Sequence, residues 1–352
     1  MSKEKLGDYI EEFSVKNKDN QPYKVYSVTN SDGFCTEYFN KDVSSKDKST
    51  YKIVPRGYFA YNPSRINVGS IDFQKYEDNV IVSPLYTVFK LSKKVDPNYL
   101  SYFFKSNYAK QLIDSSISGS VRFNLKISTL ADFNLNIYPF YEQISIVNKL
   151  NIINNLIKKE NQKIAFYDEL IKSRFIELFM DENTDKFPLK KWKDVVEIKH
   201  GRDYKKNIVN SGGFPVYGSG GFMGVYVNNY LVKENSIIIG RKGTIDKPIY
   251  VKEKYWNVDT AFGIEVNEFV LNPIYFFVRS KLYDLKSMST STTIPSMTQA
   301  TLQNINIGIP PLQLQNEFAA FVNLIDKSKF IVQKRIELYK ELLDKKMDEY
   351  FN

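Results

Sequence analysis

Residues 128–143 read STLADFNLNIYPFYEQ, and residues 300–315 read ATLQNINIGIPPLQLQ. The two stretches align without a gap, with Thr129/Thr301, Leu130/Leu302, Asn134/Asn306, Ile137/Ile309, Pro139/Pro311 and Gln143/Gln315 identical at a constant offset of 172. Self-similarity at a fixed spacing is the mark of a duplicated structural unit. In each copy apolar residues alternate before the proline, which predicts a strand, and the proline marks a break before a helix.

The same offset runs on to residue 352. Ile146, Leu150, Ile153, Ile157, Ile164, Tyr167, Ile171 and Leu178 fall on a 3-4 spacing, and Phe318, Val322, Ile325, Val332, Ile336, Tyr339, Leu343 and Tyr350 do the same. Glu160 and Arg174 interrupt the first stripe; Lys329 and Lys346 interrupt the second. With no internal Pro or Gly, this is a heptad seam of roughly five heptads. It predicts two helices over 144–179 and 316–351, each about 54 Å long at 1.5 Å per residue. If they pair with each other they run antiparallel, placing two globular blocks at opposite ends of a rod about an approximate two-fold axis. The alternatives are that each packs on its own block or seeds a homodimer.

The blocks repeat more loosely. GDYI at 7–10 lines up with KDVV at 193–196, and Asp96-Pro-Asn-Tyr-Leu resembles Leu271-Asn-Pro-Ile-Tyr. Gly57-Tyr-Phe-Ala-Tyr-Asn followed by Arg65 and Gly69-Ser-Ile resembles Asn235-Ser-Ile-Ile-Ile-Gly followed by Arg241 and Gly243-Thr-Ile. MDENTDKFPLK at 180–190 reads as the linker into the second block.

Composition sets the class. The 352 residues are 43% apolar with a single cysteine, Cys35, which predicts a globular protein with no disulfide framework, suited to a reducing compartment. The opening MSKEKLGDYIEEF has no apolar stretch of the signal-peptide kind, and no run approaches the ~20 apolar residues of a membrane helix, so a cytoplasmic location is expected. Of the net charge of +9, residues 1–140 carry +4, 141–180 carry +1, 181–310 carry +4 and 311–352 carry none. An excess confined to two blocks suits a polyanion touched at two places. An AT-rich genome, rich in lysine codons, would produce the same excess.

Catalytic constellations are missing from the pattern. His200 is the one histidine and no G-x-S-x-G accompanies it. No zinc spacing occurs. Gly218-Ser-Gly-Gly-Phe-Met-Gly224 lacks the spacing of a dinucleotide loop, and Gly240-Arg-Lys-Gly-Thr244 lacks the order of a phosphate-binding loop. Asn62-Pro-Ser-Arg65 matches only the first half of the Asn-Pro-Pro-aromatic motif of amino-methyltransferases. What remains is a set of Gly/Ser/Thr-rich loops with basic and amide side chains, where small residues let backbone approach phosphate and Arg clamps phosphate or reads guanine. In the first block the candidates are Arg65, Asn67, Ser118, Ser120, Arg122 and Asn124. In the second they are Arg202, Lys205, Lys206, Ser219, Arg241, Lys242 and Thr244, with Thr292 and Thr293 in the run 287–293 that parallels SISGSVR.

This pattern resembles the specificity subunit of type I restriction-modification systems, over essentially the whole chain. The residues that carry the resemblance are Ile137–Gln143 and Ile309–Gln315 leading into helices, Gly213-Phe-Pro-Val-Tyr-Gly-Ser-Gly-Gly221, Ile239–Thr244 and Tyr61–Gly69. It departs locally: Trp192 opens the second block where the first has Leu6, and Leu314 replaces Glu142 before the shared Gln. The resemblance implies an α+β architecture: two mixed α/β target-recognition domains, 1–140 and 181–310, alternating with long spacer helices, 141–180 and 311–352. It further implies that each domain reads one half of a bipartite DNA target through the major groove while the antiparallel coiled-coil pair fixes the spacer. Two modification subunits using S-adenosylmethionine would methylate adenine, and motor-nuclease restriction subunits using ATP and Mg²⁺ would cleave; this chain would bind none of these cofactors and catalyse nothing. A subunit of a methylation-only complex and a coiled-coil protein-interaction scaffold remain open alternatives.

Overall fold

The computed structural model describes residues 3–30, 32–36, 47–116, 124–181, 184–289 and 295–352. Seven helices occur among them: α1 (Pro97–Lys105), α2 (Asn107–Ser115), α3 (Ile127–Ala131), α4 (Phe140–Phe179), α5 (Pro273–Ser280), α6 (Gln299–Gln303) and α7 (Leu312–Phe351). None is long and apolar enough to cross a membrane. The chain divides into two compact units, residues 1–161 with 334–352, and residues 162–333.

In the first unit, strands β1 (Glu4–Lys5), β2 (Ile10–Glu12), β3 (Ser27–Thr29), β4 (Gly33–Cys35), β5 (Lys52–Pro55), β6 (Phe59–Tyr61), β7 (Ile71–Phe73), β8 (Asn79–Val82), β9 (Thr87–Leu91) and β10 (Asn134–Leu135) precede α4. The central sheet is antiparallel in the order β2–β9–β6–β7, and β3–β4, β5–β8 and β1–β10 form separate pairs. β6 is buried on both faces: Phe59 and Tyr61 face the core under α1 and α2, while Ala60 faces a smaller cluster with Val54, Val80 and Val88. That is the period-two division expected of a covered strand.

The second unit repeats this plan. Its strands are β11 (Met180–Asp181), β12 (Thr184–Asp185), β13 (Leu189–Lys191), β14 (Val196–His200), β15 (Ile208–Val209), β16 (Phe214–Gly218), β17 (Gly221–Val227), β18 (Ser236–Gly240), β19 (Ile249–Val251), β20 (Trp256–Asn257), β21 (Ala261–Val266) and β22 (Asn306–Gly308). The order β14–β21–β18–β19 matches β2–β9–β6–β7, and β13–β22 matches β1–β10. β18 stands where β6 does, with Ile237 and Ile239 in the main core and Ile238 in a second cluster. A further four-stranded sheet, β15–β17–β16–β20, is matched among the described residues of the first unit only by the β3–β4 hairpin and the parallel bridge of Val25 to Ile81 on β8. Leu6 and Trp192, the departure at the block starts, occupy one position. Each is fully buried, and their amides donate to Phe133 O (2.8 Å) and Ile305 O (2.9 Å).

α1 and α5 start for the same reason. Proline stands at their first turn, where its missing N–H costs nothing, and Asp96 or Asn272 caps the amides behind it. Tyr99 then donates its hydroxyl to Asn136 O at 2.8 Å, and Tyr275 to Gly308 O at 2.9 Å.

α4 and α7 are both 40 residues long and begin directly after Pro139 and Pro311, four residues before the predicted starts. Within each unit they run antiparallel. In the first, Ile146, Val147 and Leu150 share a core with Met347, Tyr350 and Phe351, and Glu160 pairs with Arg335 at 2.9 Å. In the second, the rings of Phe175 and Phe179 each lie 5.4 Å from Phe318, and Lys329 pairs with Asp168 at 2.6 Å. The seam ends on Phe175/Phe179 and Met347/Phe351; of the predicted end positions Tyr350 is buried as well, whereas Leu178 is only half-buried. A helix of 3.6 residues per turn drifts from a strict heptad, so the buried stripe steps one residue on by its last turns. Each large apolar side chain so buried contributes about 1.5–3 kcal/mol.

Candidate nucleic-acid interface

In the second unit, four strand ends bring the basic loops together. The chain leaves β14 at Gly201, where a Cβ would lie 1.9 Å from the Val258 carbonyl oxygen, so no other residue fits without displacing backbone. Arg202 follows, its amide donating to Asn257 O at 3.0 Å and its carbonyl accepting from the Trp256 indole at 2.9 Å. Asn257 is fully buried and donates to Lys199 O and Ala261 O, fixing the turn beneath.

Beside it, the loop after β18 folds back so tightly that a Cβ on Gly240 would lie 2.0 Å from Thr244 O and 3.1 Å from Ser219 Cβ. The Arg241 amide donates to Thr260 O at 2.7 Å and its guanidinium to Asp259 O at 3.3 Å. Gly243, at φ 80°, donates to Pro295 O at 3.0 Å, and Met297 N donates to Arg241 O at 2.9 Å. Arg202, Ser219, Arg241, Lys242 and Thr244 therefore share one loop cluster. Lys205 and Lys206 sit on the 3₁₀ turn that follows, anchored by Tyr204 in the cluster with Trp256 and Val258.

The positive charge of this cluster is uncommitted. Arg202, Lys205, Lys206, Arg241 and Lys242 are exposed, and none forms an ion pair with a carboxylate among the described residues. Asp246 is engaged instead by Lys286 at 2.7 Å, and that hydrogen bond holds its carboxyl below the usual range. Exposed cations without partners attract phosphate at no cost of breaking an existing pair. His200 lies nearby with its Nε2 against Gln299 Oε1 and its ring 5.1 Å from Phe262.

The first unit builds a related loop after β6. The Arg65 amide donates to Asn62 O at 2.9 Å, Ser70 N returns to Arg65 O at 3.2 Å, and Gly69 closes the turn at φ 85°. Leu125 N donates to Pro63 O at 3.0 Å, and the Tyr61 hydroxyl donates to Leu125 O at 3.0 Å; burial pushes that hydroxyl up to about 12. Arg65, Asn67 and Asn124 are exposed around this junction.

The sequence profile described as the type I restriction modification DNA specificity domain matches residues 185–340. The specificity subunit of the type I restriction enzyme MjaVIII from Methanocaldococcus jannaschii is 27% identical over 119 residues, 33% of this chain and 28% of its own length. A Mycoplasma pneumoniae chain named as a type I specificity subunit is 26% identical over 208 residues, 55% of this chain and 67% of that one. The crystal structure of a type I S subunit from M. genitalium superposes with a TM-score of 0.57 at 16% identity, covering 100% of this chain and 96% of that one. A chain from a study of complex assembly and conformational transition in the type I system superposes at 0.63 and 15% identity, over 99% and 96%. Residues 185–340 of this chain carry a type I specificity domain.

The fold that superposes on those structures is mixed helix and sheet, with the long helices α4 and α7 packed together within each unit. Of the predicted contact residues, Ser118, Ser120, Arg122, Thr292 and Thr293 lie outside the described residues. The structure also shifts one equivalence. Leu125 and Met297 are 172 apart and donate to Pro63 and Arg241 respectively, so the backbone counterpart of Arg241 is Pro63, two residues before Arg65. Matching on the arginines aligned the side chains; the hydrogen bonds align the backbone. Sequence reasoning missed Phe222 and Met223, which stand exposed on β17 next to this cluster. Their signal was present in the glycine-bounded GFMG, read only as a failed dinucleotide loop.

Proposed function

We propose that this specificity subunit reads DNA without catalysing, one half of a bipartite target per recognition domain (1–140 and 181–310), and so directs adenine methylation and restriction by partner subunits in the cytoplasm. The observation that carries this reading is the duplicated junction: in both units the loop after the central strand accepts an equivalent backbone hydrogen bond, from Leu125 N in the first and Met297 N in the second. One scaffold presenting two different loops suits two different half-sites. In the second unit Arg202, Lys205, Lys206, Arg241 and Lys242, none paired with a carboxylate among the described residues, supply the phosphate contacts.

Partners dock, on this reading, along the spacer helices. Leu324, Ile331 and Leu338 recur every seven residues on α7 and are 62%, 60% and 61% exposed, and Ile152 and Phe166 on α4 stand at positions equivalent to Leu324 and Leu338. A stripe of that kind is a helix-packing surface left unfilled in a lone chain. The modification subunits would bring S-adenosylmethionine, and restriction subunits ATP and Mg²⁺. The test is binding of duplex DNA by this chain assembled with its modification subunits across a salt series. Neutralised phosphates predict that log affinity falls steeply and linearly with log salt, by about 0.9 per phosphate contacted. A flat salt dependence removes the DNA-reading role and favours a protein scaffold.

A further inference from the structure

The hairpin formed by β16 and β17 carries a side-chain set that the basic loops do not explain. Phe222, Met223 and Gly224 are all exposed on β17, while the facing strand β16 is largely buried and paired with β20 on its other side. Phe222 is 47% and Met223 44% exposed, and the ring of Phe222 lies against its hairpin neighbours Tyr217 and Tyr226, at 5.8 and 5.4 Å. Large apolar side chains left in water on the outer strand of a hairpin are an interaction surface.

Two observations identify what covers them. The hairpin tip is continuous with the basic cluster: Met223 Sδ lies 3.5 Å from where a Gly218 Cβ would sit, and Ser219 packs on Gly240 beside Arg241. Residues 204–233 also contain no Asp or Glu, while Lys205, Lys206 and Lys233 lie within them. Lys233 is held by Glu265 at 4.0 Å and Glu253 accepts from the Tyr217 hydroxyl at 3.4 Å, but Lys205, Lys206 and Arg241 pair with no carboxylate among the described residues. An apolar pair beside such exposed cations suits the floor of a DNA groove with phosphate on either side. The major groove admits a two-stranded ribbon, and its only apolar group is the thymine methyl.

We propose that the β16–β17 hairpin enters the major groove and that Phe222 and Met223 recognise thymine methyl groups there. This rests on the DNA-reading role and names the base chemistry read by the second unit. The test uses the full chain assembled with its modification subunits and the duplex it selects from a random-sequence pool. That duplex is compared with a copy in which every thymine of the selected motif is deoxyuridine, which removes the methyl and keeps every hydrogen-bonding group. Wild type should bind the uracil duplex about fourfold more weakly for each methyl buried. The Phe222→Ala/Met223→Ala double variant should bind both duplexes alike, and Phe222→Leu should keep the discrimination.

Equal binding of both duplexes by wild type overturns the proposal, as does undiminished discrimination by the double variant. A selected half-site without an A·T pair overturns it too. These outcomes leave DNA reading intact. Failure to select any motif is the separate result that removes DNA reading, and this proposal with it. Because both side chains project from the core, an unchanged thermal midpoint shows that the variants fold.

Discussion

Gln143 and Gln315, 172 positions apart and both fully buried, hold the same three hydrogen bonds. Gln143 accepts from Asp96 N at 2.9 Å and donates to Lys94 O and Tyr138 O; Gln315 accepts from Asn272 N at 2.8 Å and donates to Val270 O and Pro310 O. Each thereby locks the first turn of a long helix to the cap of the short helix beside it. A buried amide whose every group is satisfied specifies one arrangement, because any other strands polar atoms without water. This is why the glutamine survives in both copies while the residue before it is Glu142 in one and Leu314 in the other.

Replacing Gln143 by Ala therefore takes the partner from the buried Asp96 amide and from two part-buried carbonyls. A loss of about 1–3 kcal/mol is expected, and a similar loss for Gln315→Ala, measured by urea unfolding of each variant. A negligible effect at either position would show that water replaces the side chain.

Glu160 is 5% exposed and interrupts the apolar seam of α4, where its pair with Arg335 compensates the charge. Arg335→Leu removes the guanidinium from the buried carboxylate and should cost up to about 3–5 kcal/mol. The Glu160→Leu/Arg335→Leu double variant should recover most of that loss, because a well-packed apolar pair often matches a buried ion pair. A double-mutant cycle measures the coupling, and additive single effects would show that the two side chains do not depend on each other.

Arg241 is held by its own backbone and by Asp259 O, so its alanine variant leaves the loop in place and removes only the guanidinium. If it reads a base, Arg241→Ala should relax one half-sequence of the methylated motif and weaken binding by about 1–3 kcal/mol. If it contacts phosphate, all sequences weaken alike and the salt slope falls by about one. Methylation profiling with the variant separates these, and unchanged affinity and selectivity would take the loop off the DNA.

The spacer is expected to scale with the helices. Inserting one or two helical turns near Asn161 and Gln333 together should lengthen the unspecified gap in the target and leave both half-sites unchanged. An unaltered gap in the modified DNA would contradict the ruler role.

The repeat was legible because it rests on residues whose chemistry is local. Proline before a helix, the buried glutamine and the 3-4 stripe each report their structure without reference to distant chain. Less legible was anything set by tertiary packing. The seam passes to Phe175 and Met347 because the helix drifts out of heptad phase, which a fixed 3-4 count does not follow. The β15–β17–β16–β20 sheet joins β20 to β16 in parallel across about forty residues, a pairing that no local pattern announces. Among the candidate contacts, residue type and loop placement were readable, whereas the backbone equivalence of Arg241 with Pro63 emerged only from the hydrogen bonds to Leu125 and Met297.

The central claim is tested most directly by single-molecule sequencing of the host methylome with the gene intact and with it deleted. The account predicts that a split, adenine-methylated motif is present with the gene and vanishes without it. An adenine methylome identical in the two strains, with partner subunits expressed in both, would contradict it.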